Sequence, residues 1–323
     1  NSELTWEKQT EFNLGLDIGL LKNRVTMNFD GYIRKGDDLI DFVQTSGIGG
    51  QSLKLGNFSK LETKGVEFQL NTINVSNDDF KWSSSFNISL INQEITELQQ
   101  EPNVFDLVTG GQFGNSVGFA PNSLFSFNFN GLDNEGLPTF ITPDGEIDFQ
   151  STEDPLSYLV YEGPTLPTVT GGFANNFKYK NFDFSFFISF SGGNKIRLDP
   201  TFSSSYSDLT LFTKEFSNRW VSPGDENITN VPVFNSPQLE LGRETQVRRL
   251  YNAYNYSTVR SADGDFIRMK NITLGYSLNR DIVDRLGMSR FRMSLQTTNP
   301  FLIYSDKKLN GQDPEFNRSG GVA

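Results

Sequence analysis

The 323-residue chain contains no cysteine and no histidine. Without thiols it can build neither a disulfide framework nor a thiolate metal site. Without imidazole it loses the commonest general base, the Ser-His-Asp arrangement and every imidazole-bound metal. Basic charge is scarce too, with 28 Lys and Arg against 39 Asp and Glu and a formal net charge of -11. A nucleic-acid surface needs a basic patch, and none is visible. Hydrophobic residues make up only 36% of the chain, and no run approaches the ~20 apolar residues of a transmembrane helix. The opening Asn1-Ser2-Glu3-Leu4-Thr5 has none of the features of a secretory leader. For an exported protein the leader is expected to have been removed or to lie on another segment.

What the chain has is phenylalanine, 30 residues against four Met and three Trp, and strict alternation. Phe12 to Leu20 places Phe12, Leu14, Leu16, Ile18 and Leu20 at even positions, with polar or small residues between them. Successive strand side chains point to opposite faces, so this segment has one apolar and one hydrophilic side. The pattern returns in Val66/Phe68/Leu70, in Phe80, Trp82, Phe86, Ile88 and Leu90, and in Phe182, Phe184, Phe186, Ile188 and Phe190. Val25, Met27, Phe29 and Ile33 likewise share a face, opposite Thr26, Asn28, Asp30 and Arg34. Such strands suit the wall of a membrane-spanning barrel with a wet lumen. A soluble sandwich alternates as well, so the pattern alone leaves both open.

The order of the connections separates the two. Eight strands are expected, at about 5–20, 25–35, 54–71, 80–92, 168–179, 182–192, 265–278 and 290–304. Tight links at 21–24, 72–79, 180–181 and 279–289 alternate with long ones at 36–53, 93–167, 193–264 and from 305 onward. The link 279–289 carries a short helix-like stretch, 281–286. Short turns at one end and long loops at the other mark an outer-membrane barrel. A soluble sheet has no reason to sort its loops in this way. Within the long links, 123–129 reads as a hairpin strand and 207–216 as a short helix leading to Trp220. Loops of this length usually carry function.

Several segments resemble one family in order and spacing over nearly the whole chain. They are Leu4-Thr5-Trp6-Glu7-Lys8 with Phe12-Asn13-Leu14-Gly15-Leu16-Asp17, Lys64-Gly65-Val66-Glu67-Phe68 with Phe80-Lys81-Trp82, and Gly131-Leu132-Asp133 with Gly136-Leu137-Pro138. Further on come Glu162-Gly163-Pro164 and Pro167 before Gly171-Gly172-Phe173, then Arg219-Trp220 with Pro223-Gly224-Asp225. The last are the run from Phe266 to Tyr276 and Asp313-Pro314-Glu315. Together these resemble the C-terminal part of the barrel of SusC/RagA-type, TonB-dependent outer-membrane transporters of Bacteroidetes.

The resemblance implies an all-β fold, an antiparallel transmembrane β-barrel with long extracellular loops. This chain would supply about eight of roughly 22 strands of a plugged barrel. Residues 1–323 would then form the C-terminal portion of the barrel, with the plug domain, the earlier strands and the closing strand outside this sequence. It implies a nutrient importer of a Gram-negative outer membrane, taking up oligosaccharides or peptides. Its partners would be a SusD-like surface lipoprotein, outer-membrane lipid and, through the N-terminal part, the TonB system. The runner-up is a barrel that serves as a structural or docking partner in an envelope or secretion assembly. A soluble β-rich adhesin stands third.

No enzyme activity and no cofactor are expected. Carboxylate pairs such as Glu153/Asp154 or Asp313/Glu315 are not placed across a substrate by anything in the sequence. Acidic turns at 133–136 and 144–148 offer oxygen ligands for Ca²⁺, but neither has the spacing of a twelve-residue calcium loop. Turn chemistry accounts for both. The basic cluster Arg243, Arg248 and Arg249 reads as a solvated loop face. The candidate substrate-binding residues are loop aromatics, Tyr158, Tyr161, Trp220, Tyr251 and Tyr254, with Tyr256 beside them. Their rings could stack on sugars or flank a peptide, or they could simply pack the loops.

Overall fold

The computed structural model describes residues 4–45, 50, 53–110, 113–202, 214–234 and 242–315. Its main body is one eight-stranded antiparallel sheet. The strands are β1 (Lys8–Leu20), β2 (Val25–Gln44), β3 (Leu53–Ser76), β4 (Phe80–Glu97), β8 (Val169–Tyr179), β9 (Phe182–Gly192), β12 (Phe266–Ser277) and β13 (Arg292–Ser305). They pair in that order, leaving β1 and β13 as its edges. Antiparallel neighbours follow from the tight turns. Leu21, Lys22 and Asn23 reverse the chain with φ of 52°, 57° and 63°, and the Asn77 side chain accepts the Phe80 N–H at 2.7 Å.

Register turns the alternation into two continuous faces. One rung runs Leu16, Phe29, Phe68, Ile88, Gly171, Phe190 and Ile267. The next runs Asp17, Asn28, Gln69, Asn87, Gly172, Ser189 and Arg268. Among the described residues nothing covers the first face: Leu14 is 70% and Leu295 74% exposed. Apolar area this extensive is stable only against lipid or another apolar surface. Ring pairs cross it between strands, Phe29 to Phe68 at 4.6 Å and Trp82 to Phe177 at 5.6 Å, each worth about 0.5–1.5 kcal/mol beyond area burial. Toward the tight turns it ends in Trp82, Tyr179, Phe182 and Tyr276, an aromatic girdle. Among the described residues no helix is long and apolar enough to cross a membrane.

The strands match the expected eight closely, with two corrections. The link expected at 36–53 is mostly ladder, since β2 and β3 stay paired out to Gln44 and Leu53, with irregularities around Leu39 where Asp38 has φ 57°. The alternation fades there because charged pairs replace apolar side chains: Lys35 with Glu62 at 3.4 Å, Lys64 with Glu62 at 2.5 Å and Lys8 with Asp38 at 2.6 Å. The turn expected at 72–79 shortens in the same way to 77–79. In β13, Asn299 (φ 49°) and Pro300 coincide with a break in register. An edge strand tolerates this because proline lacks the ladder N–H.

The long links form a second layer. The expected hairpin strand at 123–129 is β5 (Ser123–Leu132), the centre of a three-stranded sheet between β6 (Pro138–Ile141) and β7 (Leu159–Pro164). Two helices not anticipated join it, α1 (Val104–Thr109) and α2 (Glu244–Asn255). A small ladder pairs β10 (Lys195–Arg197) with β11 (Ser261–Asp263). The helix-like turn is α3 (Arg280–Arg285). Of the helix expected at 207–216, residues 207–213 lie outside the described residues, and Lys214–Asn218 forms a 3-10 turn.

Candidate functional site: the polar wall and the loop layer

The hydrophilic face of the sheet is a continuous field of hydrogen-bonding groups. The Asn28 side chain donates to Asp17, the Ser85 hydroxyl to Asn71 at 2.7 Å, and Arg34 pairs with Glu11 at 2.9 Å. Tyr32 lies across Gly65, where a Cβ would sit 2.2 Å from the ring. Glycine there lets the ring lie flat against the wall, and the Arg34 guanidinium caps it at 5.5 Å. Near the long-loop end, Arg268 binds Asp313 at 2.5 Å and Glu315 at 3.1 Å, and Lys270 also pairs with Glu315. The carboxylates at 313 and 315 are therefore occupied in holding the strap after β13 against β12. Leu309 anchors the same strap in a cluster with Ile196, Leu198 and Ala262.

The loop layer has cores of its own. Val247, Tyr251 and Tyr254 of α2 pack with Leu137 and Phe202, while Val104 and Val108 of α1 pack with Phe127 and Ala253. Arg197 joins these excursions. It donates to the Phe125 carbonyl at 2.7 Å, the Ser126 hydroxyl at 2.9 Å and the Ser257 carbonyl at 3.1 Å, with Tyr256 below at 5.7 Å. Burial lowers its pKa to about 10, so it remains a cation at neutral pH. Arg260, 4% exposed, donates to Glu215 and to the Asp199 carbonyl, each at 2.5 Å. Neither arginine stands out in sequence, because a single arginine in a long loop reads as solvated.

The candidate aromatics fall into two groups. Trp220, Tyr251 and Tyr254 are buried. The Trp220 indole donates to Glu226 at 3.0 Å and its ring covers Gly136. The Tyr251 hydroxyl donates to the Val233 carbonyl at 2.6 Å. Tyr254, 2% exposed, packs edge-on to Phe202 and Phe129, and burial pushes its pKa up to about 12. Tyr158 is half-buried and donates to Asp144 at 3.3 Å. Tyr161 alone among the five keeps an open surface, 42% exposed, in a triad with Phe119 at 4.7 Å and Phe125 at 5.5 Å.

The acidic turns are closed by their own backbone. Asp133 accepts the N–H groups of Glu135 and Leu137, and Asp144 that of Glu146. These bonds hold the Asp144 carboxyl below its usual pKa. Arg243 of the basic cluster pairs with Glu135 at 2.7 Å.

No protein-family profile matches the chain. It is 30% identical to TonB-dependent receptor P3 of Formosa agariphila over 98% of its own length and 31% of that receptor. It is also 30% identical to TonB-dependent receptor SusC of Bacteroides thetaiotaomicron, over 98% of this chain and 30% of SusC. Among solved structures, the RagAB peptide transporter superposes with a TM-score of 0.75 at 24% identity, covering 99% of this chain and 34% of that one. The sequence thus spans about a third of the length of its relatives. Its eight strands are part of a larger antiparallel barrel wall, and the chain belongs to the TonB-dependent receptors, in the SusC/RagA family.

Proposed function

We propose that this chain forms wall, polar lumen surface and outer loops of a TonB-dependent importer in a Gram-negative outer membrane, carrying oligosaccharides or peptides. The observation that carries the reading is the pairing of one lipid-suited face and one hydrogen-bonding face in a single sheet. All long excursions gather at one end of that sheet. Residues 1–323 act as the C-terminal portion of the barrel, completed by a plug and further strands. A SusD-like lipoprotein closes over the loop layer, and the TonB system supplies the work. Within the layer Tyr161 and Tyr158 meet cargo, while Trp220, Tyr251 and Tyr254 support it by holding the loops in shape.

Deleting the full-length gene tests this. Growth on a cognate oligosaccharide or peptide should be lost, and an affinity-tagged receptor should retain a SusD-like lipoprotein in detergent. Unchanged growth on all such nutrients, with retention of a secretion component instead, would favour the docking role.

A further inference from the structure

The wall contains a slit. The ladder between β4 and β8 ends at Leu90 and Val169, with one further bond from the Ile91 N–H to the Thr168 carbonyl at 2.8 Å. Above it β4 continues to Glu97, but the facing chain leaves: the Thr165 N–H goes to Asn122, and residues 159–164 pair with β5. Pro164 and Pro167 have no N–H with which to resume the ladder. The gap closes again higher up, where Ile95 exchanges both backbone bonds with Gly118 and Phe119 at 2.9 Å.

Strand geometry fixes what faces the gap. In an antiparallel ladder a residue's N–H and C=O point the same way, and alternate residues point to opposite sides. Ile91 and Ile95 bond across the β8 side, so Gln93 between them points its N–H and C=O there too. Among the described residues neither group of Gln93 has a backbone partner. The Ile91 carbonyl has none either, because the Thr168 N–H is taken by Gly192. An acceptor, a donor and a second acceptor therefore line a cavity of about 290 Å³. Phe119, Tyr161 and Leu166 flank it, and Leu166 is 51% exposed.

We propose that this slit binds an extended peptide through its main chain. A peptide residue laid opposite Gln93 exchanges two hydrogen bonds with it, and its neighbours leave the sheet plane, because Thr168 and Phe119 already occupy the rungs opposite Ile91 and Ile95. This is strand addition on an internal edge. Recognition runs through the backbone, so it tolerates many sequences, with an apolar or aromatic side chain preferred against Phe119 and Tyr161. The proposal rests on the importer reading for the arrival of peptide at the outer face.

The test uses the full-length receptor in detergent and a fluorescein-labelled, end-blocked pentapeptide, Ala-Leu-Ala-Tyr-Ala, followed by anisotropy. Wild type and Gln93→Ala, which keeps the N–H, should bind equally. Gln93→Pro, which removes the N–H facing the slit and fixes φ, should bind at least tenfold more weakly. The same peptide N-methylated at every residue, which leaves neither edge an N–H to donate, should lose binding to wild type, an arm that needs no variant to fold. No saturable binding by wild type, or equal binding of both peptides, overturns the proposal. Gene-dependent oligosaccharide uptake without peptide binding would sink the slit and spare the importer. Peptide binding in a receptor dispensable for all uptake would do the reverse.

Discussion

The Arg197 guanidinium donates to the Phe125 carbonyl at 2.7 Å across 72 positions of sequence. That bond, with those to Ser126 and Ser257, ties β5 in one loop excursion to β10 and the end of α2 in the other. A buried cation at the junction of three segments acts as a tie for the loop layer, separate from the ladder hydrogen bonds of the wall.

Arg197→Met should therefore loosen the layer and leave the wall intact. The buried carbonyls lose their donor, at a cost of about 2–4 kcal/mol. Hydrogen exchange should speed up in β5, α2 and β11 while β9 stays protected. Equal loss of protection in both would show that layer and wall unfold together.

The raised pKa of Tyr254 gives the loop core an alkaline limit. Its neutral form is favoured by burial, so the stabilisation is full below the unfolded tyrosine value near 10 and is lost as pH rises toward about 12. Two units correspond to about 2–3 kcal/mol. Tyr254→Phe should abolish that part of the alkaline loss, read by difference ultraviolet titration against wild type.

Arg268 carries the strap after β13. Removing it as Arg268→Ala leaves Asp313 with only the Glu315 backbone N–H and the Glu315 carboxylate with Lys270. Because the chain has no native cysteine, a Leu309→Cys probe, 3% exposed in the parent, reports release cleanly. Its alkylation should accelerate at least tenfold in the double variant. Acid should loosen the strap as well: backbone N–H bonds from Lys308 and Asp263 hold the Asp306 pKa low. The stability this gives is present above the unfolded value and is lost as pH falls through the lowered one.

Adjacent residues of β4 should respond oppositely to charge. Ile88→Arg places a guanidinium on the apolar rung between Phe68 and Gly171, costing about 2–4 kcal/mol near the bilayer midplane. Asn87→Arg points into the polar face and should fold normally. Urea titration of both in lipid vesicles measures the difference.

The wall was legible because lipid and lumen impose period two on every strand, and Phe182 to Phe190 announces it in nine residues. Where β2 and β3 rise past Lys35 and Lys64, both faces meet water, the period weakens, and the strand ends are read too early. The loop layer was less legible for a different reason. Trp220, Tyr251 and Tyr254 were recognisable as loop aromatics, but their burial comes from contacts with Gly136, Val233 and Phe202, far away in sequence. Helix α2 was hidden by its polar composition and by the lack of a capping side chain. Arg197 gave no local signal at all.

The central claim is that one face of this sheet meets lipid and the other a wet lumen. Single spin labels at successive positions from Phe12 to Leu20, in the full-length receptor in vesicles, test it most directly. Even positions should be accessible to oxygen and shielded from a water-soluble nickel chelate, and odd positions the reverse, with period two throughout β1. Chelate access at Leu14 and Leu16 equal to that at Asn13 and Asp17 would contradict the account.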